Sequence, residues 1–257
     1  MTLADEAVRG GSSDSARFVR AVEQVFQQFW GGHYEVVETF FGQPRPREQL
    51  IAWLELQLYK EIHVVPRKAR ELLHLYERLD DEVERGEFEA EAYELADEVQ
   101  HYRLLADILE LLTDQRRPAR AYRATPAQVV LENVRRQYAG RGRLVQAVGG
   151  FAPGGGTAFA AAGALIDGGP VERLLAPAFK IIYAQELQHY HKNRLVFDRE
   201  ARAADPSAYP EALKYARELA HQHFLLRNDS FGSPLSAERV AQIEAGHVTP
   251  YVPPRLY

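Results

Sequence analysis

A seven-residue pattern, A-x-E-x-Q-H-Y, is written twice in this chain. It reads Ala96, Glu98, Gln100, His101 and Tyr102, and 88 residues later Ala184, Glu186, Gln188, His189 and Tyr190. On a helix, a glutamate and a histidine at i and i+3 share one face about a turn apart. Both side chains then reach a single metal ion.

Five Glu-x-x-His pairs occur, whereas 25 glutamates and nine histidines in 257 residues supply about one by chance. Helical phase sorts them. The face of Glu98 and His101 continues through Leu105, Ile108 and Leu112, and that of Glu186 and His189 through Leu175, Phe179, Ile182 and Val196. A carboxylate and an imidazole in line with a core stripe are costly to bury unless something pairs them, and a metal ion does so. A Glu–His hydrogen bond within the core is the bland alternative. Glu71/His74 instead shares its face with Arg67, Arg78 and Asp81. Glu218/His221 shares its face with Glu211, Lys214 and Asn228, which makes it a weaker ligand candidate, and Glu244/His247 sits at a helix end beside Gly246.

Bundles of four helices that hold two metals place such a pair on two helices and a further glutamate on each of the others. Ahead of Glu98, that logic selects Glu61, in line with Ile51, Leu54, Leu58, Val65 and Leu72. Ahead of Glu186 it falls on "GGFAPGGG", residues 149–156, where no acid stands. The expected metal ligands are therefore Glu61, Glu98, His101, Glu186 and His189, with Glu218 and His221 as substitutes for the missing carboxylate. Gly154, Gly155 and Gly156 either leave room for an organic substrate or serve close helix packing. Tyr102, Tyr190, Gln100 and Gln188 are candidates for hydrogen-bonding groups around the ligands.

The elements that must position these residues read as helices throughout. An amphipathic segment covers 14–30, and "GGHYEVVETFFGQPRP" reads as a loop. Helices follow at about 47–80, 88–113 and 126–139, then one that "GGFAPGGG" interrupts or opens and that reaches about 165, then 171–200, 210–227 and 235–245, with an extended tail. Strand and hairpin signals are missing. The expectation is an all-α protein divided into an N-terminal helix and loop (1–46), a helical bundle (47–230) and a C-terminal short helix with its tail (231–257).

Composition sets outer bounds. Residues are 46% hydrophobic and 26% charged, as in ordinary globular proteins, and the net charge of −5 argues against general nucleic-acid binding. With no cysteine, thiolate metal sites are excluded. The stretch "MTLADEAVRGGSSDS" lacks the regions of a signal peptide, and no apolar run approaches the roughly 20 residues that span a bilayer. A soluble, cytoplasmic monomer or homodimer is expected. Residues 116–143 hold eight arginines and one acid, a basic segment that suits a carboxylate or phosphate ligand, or else a solvated surface.

The paired Glu-x-x-His helices, the preceding glutamate and the long crossover resemble the ferritin-like superfamily, which includes rubrerythrins, manganese catalases and di-iron oxygenases. "GGGTAFAAAGAL", "IIYAQELQH" and "LRNDSFGSPLS" resemble a group of bacterial ferritin-like proteins in which an acid commonly precedes the triple glycine; here Pro153 stands there. The resemblance implies an up-down four-helix bundle with a long crossover and added terminal helices. It also implies two iron ions or an iron/manganese pair, or one metal where the third-helix carboxylate is absent, acting on O2 or peroxide and a small organic substrate. Oxygen activation by a non-haem di-iron oxidoreductase is the leading expectation. Manganese-type peroxide dismutation and a non-catalytic metal-binding bundle are the rivals. An RNA substrate, as used by ferritin-like tRNA hydroxylases, would be an alternative role for the arginine segment.

Overall fold

The protein, described as a computed structural model over backbone residues 3–255 and side chains 14–152 and 154–255, is all-α. The described residues form nine α-helices and no strand: α1 Leu3–Phe41, α2 Arg47–Tyr76, α3 Arg85–Thr113, α4 Pro126–Tyr138, α5 Arg143–Phe151, α6 Gly155–Ala164, α7 Pro170–Ala203, α8 Tyr209–Ser230 and α9 Ala237–Glu244. The side chain of Pro153 lies outside the described residues.

The helices divide into two compact units. One comprises residues up to Gly42, Pro126–Ala162 and the chain from Glu186 onward; the other comprises Gln43–Thr125 and Gly163–Gln185. These units cut across the three sequential segments expected from the sequence, and α7 contributes residues to both.

In the first unit, α1 packs along α8, and α4 and α5 also pack on α8. Val22, Phe26, Trp30, Val36, Val37 and Phe40 form one buried stripe of α1, with Phe151, Phe197, Phe224 and Phe231 buried in the same unit. The expected loop from Gly31 to Pro46 is helical as far as Phe41. Its glycines mark close packing rather than a chain reversal. A Cβ on Gly31 would lie 2.1 Å from the Thr249 carbonyl oxygen, and one on Gly32 2.7 Å from the Phe224 ring. Helix α5 lies ahead of α6, so the glycine run interrupts a helical stretch rather than opening one. Helix α5 forms over 143–151 because Leu144, Val145, Val148 and Phe151 give it a buried face.

In the second unit, α2 and α3 form an antiparallel hairpin. Arg47 at the start of α2 donates to the Leu112 carbonyl at the end of α3, while Lys68 near the other end of α2 pairs with Glu94. Asp80 (φ 68°) takes the left-handed conformation in the turn, and Asp114 (φ 53°) does so to end α3. Buried Leu50, Trp53, Leu54 and Leu58 of α2, Leu105, Ile108 and Leu109 of α3, and Leu175, Phe179 and Ile182 of α7 make its core. Pro66 lies inside α2, where its missing N–H removes the helical bond to the Ile62 carbonyl. The interruption falls one residue beyond Glu61.

Candidate metal centre

The hairpin brings Glu61, Glu98 and His101 together, each offering one ligand atom within 4.8 Å of the others. His101 is fully buried, and the two carboxylates are about 15% exposed. Its Nδ1 lies 3.5 Å from Glu61 Oε2 and 3.9 Å from Glu98 Oε2. The far nitrogen, Nε2, is 3.0 Å from the side-chain oxygen of Gln185.

That outer contact decides the chemistry of the inner one. The Gln185 amide nitrogen donates to Asp97 Oδ1 at 2.7 Å and to Gln100 Oε1 at 2.6 Å. Both of its N–H groups are thereby spent on acceptors, so its oxygen must face His101. Nε2 then carries the hydrogen, which it donates to Gln185, and the Nδ1 lone pair is directed at Glu61 and Glu98. Two carboxylates set beside Nδ1 in a nearly buried place suit a shared cation, either a proton carried on Nδ1 or a metal ion. A histidine ligand whose other nitrogen donates to a fixed oxygen is the usual arrangement at metal sites. Two carboxylate oxygens and one imidazole nitrogen are ligands that several divalent first-row metals accept, iron, manganese and zinc among them.

One turn before Glu98 on the same face stands Glu94, buried, with a carboxylate oxygen within 4.8 Å of one from Glu98. Lys68, two turns beyond Glu61 on α2, pairs with Glu94, and both side chains are about 10% exposed. Neither Lys68, Glu94, Asp97 nor Gln185 was selected from the sequence. A signal for two of them was present: Asp97 and Gln185 occupy the same position, between Ala and Glu, in the two copies of the pattern.

The second copy from Glu186 onward belongs to the other unit. His189 Nδ1 is 4.0 Å from Glu186 Oε1, and both side chains are nearly buried. The three glycines are filled by side chains. A Cβ on Gly154 would meet Trp30 at 2.6 Å and Tyr190 at 3.0 Å, one on Gly155 the His33 ring at 2.8 Å, and one on Gly156 Glu186 Oε2 at 2.4 Å. Of the two readings of these glycines, room for a substrate or close packing, the structure fits close packing, since these groups take the space beside them. Gly156 lets the Glu186 carboxylate approach the first turn of α6, where the helix dipole favours an anion.

The remaining candidates separate. Gln100 belongs to the Gln185 network, whereas Gln188 is exposed. Tyr190 is buried against Trp30 and Phe151, and burial raises its hydroxyl above the usual phenol range. Tyr102 is half-buried. It lines a cleft of about 240 Å³ with Tyr122, Arg103, Arg116 and Arg117. Glu218 lies by Lys214 at 3.8 Å and accepts a hydrogen bond from Tyr138, whose pKa desolvation and Glu218 together push up to about 12. His221 pairs with Glu244 at 2.6 Å. Glu71 is exposed and engages Arg67 at 2.6 and 2.9 Å. Of the eight arginines in 116–143, five pair with acids: Arg116 with Glu110, Arg117 with Glu55, Arg135 with Glu132, Arg141 with Glu211 and Arg143 with Glu200. Their charge is thus largely answered from within each unit. No helix among the described residues is long and apolar enough to cross a membrane. Compared with known proteins, the chain matches no family model, no curated protein and no solved structure.

Proposed function

We propose that the protein is a metal-dependent oxidoreductase of the ferritin-like kind, binding iron or an iron/manganese pair and acting on O2 with a small organic substrate. The observation that supports this reading most is the gathering of Glu61, Glu98 and His101 Nδ1, with the His101 ring oriented by the contact of its Nε2 with Gln185. Glu186 and His189 are the second ligand pair of the same reading.

A bound non-haem ion would supply the one-electron and oxygen chemistry. The chain's own residues do the rest. Glu61 and Glu98 balance the charge of a cation taken into a buried site. His101 contributes a neutral nitrogen whose ring cannot rotate without breaking the bond to Gln185. Leu58 and Leu105, both fully buried, lie one turn from Glu61 and His101 and exclude water on that side.

Metal analysis of protein purified from cells supplied with iron and manganese tests the reading. Wild type should carry iron or manganese, Glu98→Ala and His101→Ala should lose it, and Glu71→Ala should keep it. Wild-type protein that binds neither metal, or equal loss in Glu71→Ala, defeats the proposal. Reductant-dependent O2 consumption supports oxygen activation, whereas H2O2 consumed without reductant assigns the chemistry to peroxide dismutation.

A further inference from the structure

The α2–α3 face carries two layers of charge. Glu61, Glu98 and His101 form one; Lys68 and Glu94 form the next. On α3 the acids fall at i and i+4 with the histidine at i+7, so all three line one face. On α2, Lys68 follows Glu61 by seven residues and falls on the same side. Glu98 belongs to both layers, since its carboxylate approaches the Glu61/His101 atoms and also that of Glu94.

We propose that Lys68 is a resident cation that sets how many metal ions this face takes. Its ammonium supplies at Glu94 the positive charge that a second ion, bridged to the first through Glu98, would otherwise supply. Three carboxylates gathered in nearly buried surroundings need compensating charge. One metal ion at Glu61, Glu98 and His101 leaves Glu94 to be answered, and Lys68 answers it. With the ammonium removed, Glu94 and Glu98 are two adjacent buried carboxylates within reach of a single ion. Lys68 acts here through Glu94 and touches no reacting atom; it is a positioning residue. A lysine also differs from any neutral residue in that its charge can be removed while its four-carbon stem is retained, and methionine is close to that substitution in size.

The inference rests on the metal-binding reading above, and its test separates the two. The metal-to-protein ratio is measured by elemental analysis after loading with manganese and desalting, for wild type, Lys68→Met, Glu94→Gln and the double variant. Lys68→Met is expected to hold one more ion per chain than wild type, and the double variant to return to the wild-type ratio. Glu94→Gln alone should leave the ratio unchanged. Melting curves with and without manganese add a second reading: metal-free Lys68→Met should melt below wild type and gain more from added manganese than wild type does. A purely structural ion pair lowers melting of Lys68→Met equally with and without metal and leaves the ratio unchanged, and that result overturns the inference. Should metal-free Lys68→Met not fold, Lys68→Gln, which keeps a hydrogen-bond donor for Glu94 without the charge, is loaded in its place; it is expected to hold the same additional ion, and an unchanged ratio there overturns the inference. A folded double variant that binds one ion more than wild type shows that Glu94 is not the group Lys68 answers. If wild type itself binds no metal, the metal-binding reading fails instead.

Discussion

The two copies of A-x-E-x-Q-H-Y share five residues and almost none of their surroundings. The copy on α3 faces charge and amide groups: Glu61, Gln185 and, one turn away, the Lys68–Glu94 pair. The copy on α7 is set against aromatic rings and glycines, with Trp30 and Phe151 around Tyr190 and Gly156 beneath Glu186. Position by position the divergence is sharp. Tyr102 lines an open cleft while Tyr190 is 5% exposed, and Gln100 is bonded to Gln185 while Gln188 faces solvent. Repetition in sequence therefore places equivalent ligand atoms on equivalent faces, but what tunes them is supplied by whatever element packs opposite. In the first copy it is a hydrogen-bond network; in the second it is the first turn of a helix and the absence of a Cβ.

The largest effect that could break this comparison is on the first copy itself. Glu98→Ala should reduce bound metal to background and, in metal-free protein, leave melting unchanged or raise it, because it removes a buried carboxylate from a crowded set. A melting temperature that falls without any loss of metal would mean the carboxylate is structural.

Next in size is Gln185→Leu. It removes the oxygen that receives the His101 hydrogen, and loss of such an outer partner lowers metal affinity about 10–100-fold. A competition titration against a chelator measures this. The equivalent position in the other copy gives the control: Asp97→Asn keeps an acceptor oxygen for Gln185 and should change affinity far less.

Gly156→Ala probes the second copy by the opposite means, adding an atom. Helix propensity alone favours alanine by up to about 1 kcal/mol, so denaturant unfolding should show stability held or slightly raised. The added Cβ competes with the Glu186 carboxylate, the flexible end of a side chain, which must move. Metal bound through Glu186 should therefore weaken while the fold does not. If stability collapses instead, the glycine is serving backbone packing.

The smallest expected effect concerns pH near the second copy. Desolvation, and then the neighbouring Asp198, raise the carboxyl of Glu23 above its ordinary value, against the opposing pull of Arg194. A folded-state value above the unfolded one means that the native chain holds its proton longer. Stability therefore falls as pH rises from the ordinary carboxylate value through the raised one. Urea unfolding across pH 4 to 7 should show that decline in wild type and lose it in Glu23→Gln. An unchanged slope in the variant would assign the decline to another group.

Much of this was legible without coordinates because it is local. Helix phase depends only on spacing along the chain, so α2, α3, α7 and α8 and the inward faces of Glu61, Glu98 and His101 could be read from periodicity. Gly31 and Gly32 were misread as a loop for a related reason. Locally a glycine pair is a helix breaker, and only the carbonyl of Thr249 and the ring of Phe224, some 200 residues away in sequence, explain why helix α1 needs two residues without a Cβ. Gln185, Lys68 and Glu94 were missed likewise. A lysine seven residues after a glutamate, or a glutamate four before another, is ordinary on any solvated helix, and becomes informative only when two helices pack and remove the water. The sequence by itself determined which faces carry donors. The tertiary structure decided which donors meet, which are already answered by a neighbouring charge, and which nitrogen of His101 is turned toward a cation, because hydrogen-bond partners and burial belong to pairs of elements and not to either one alone.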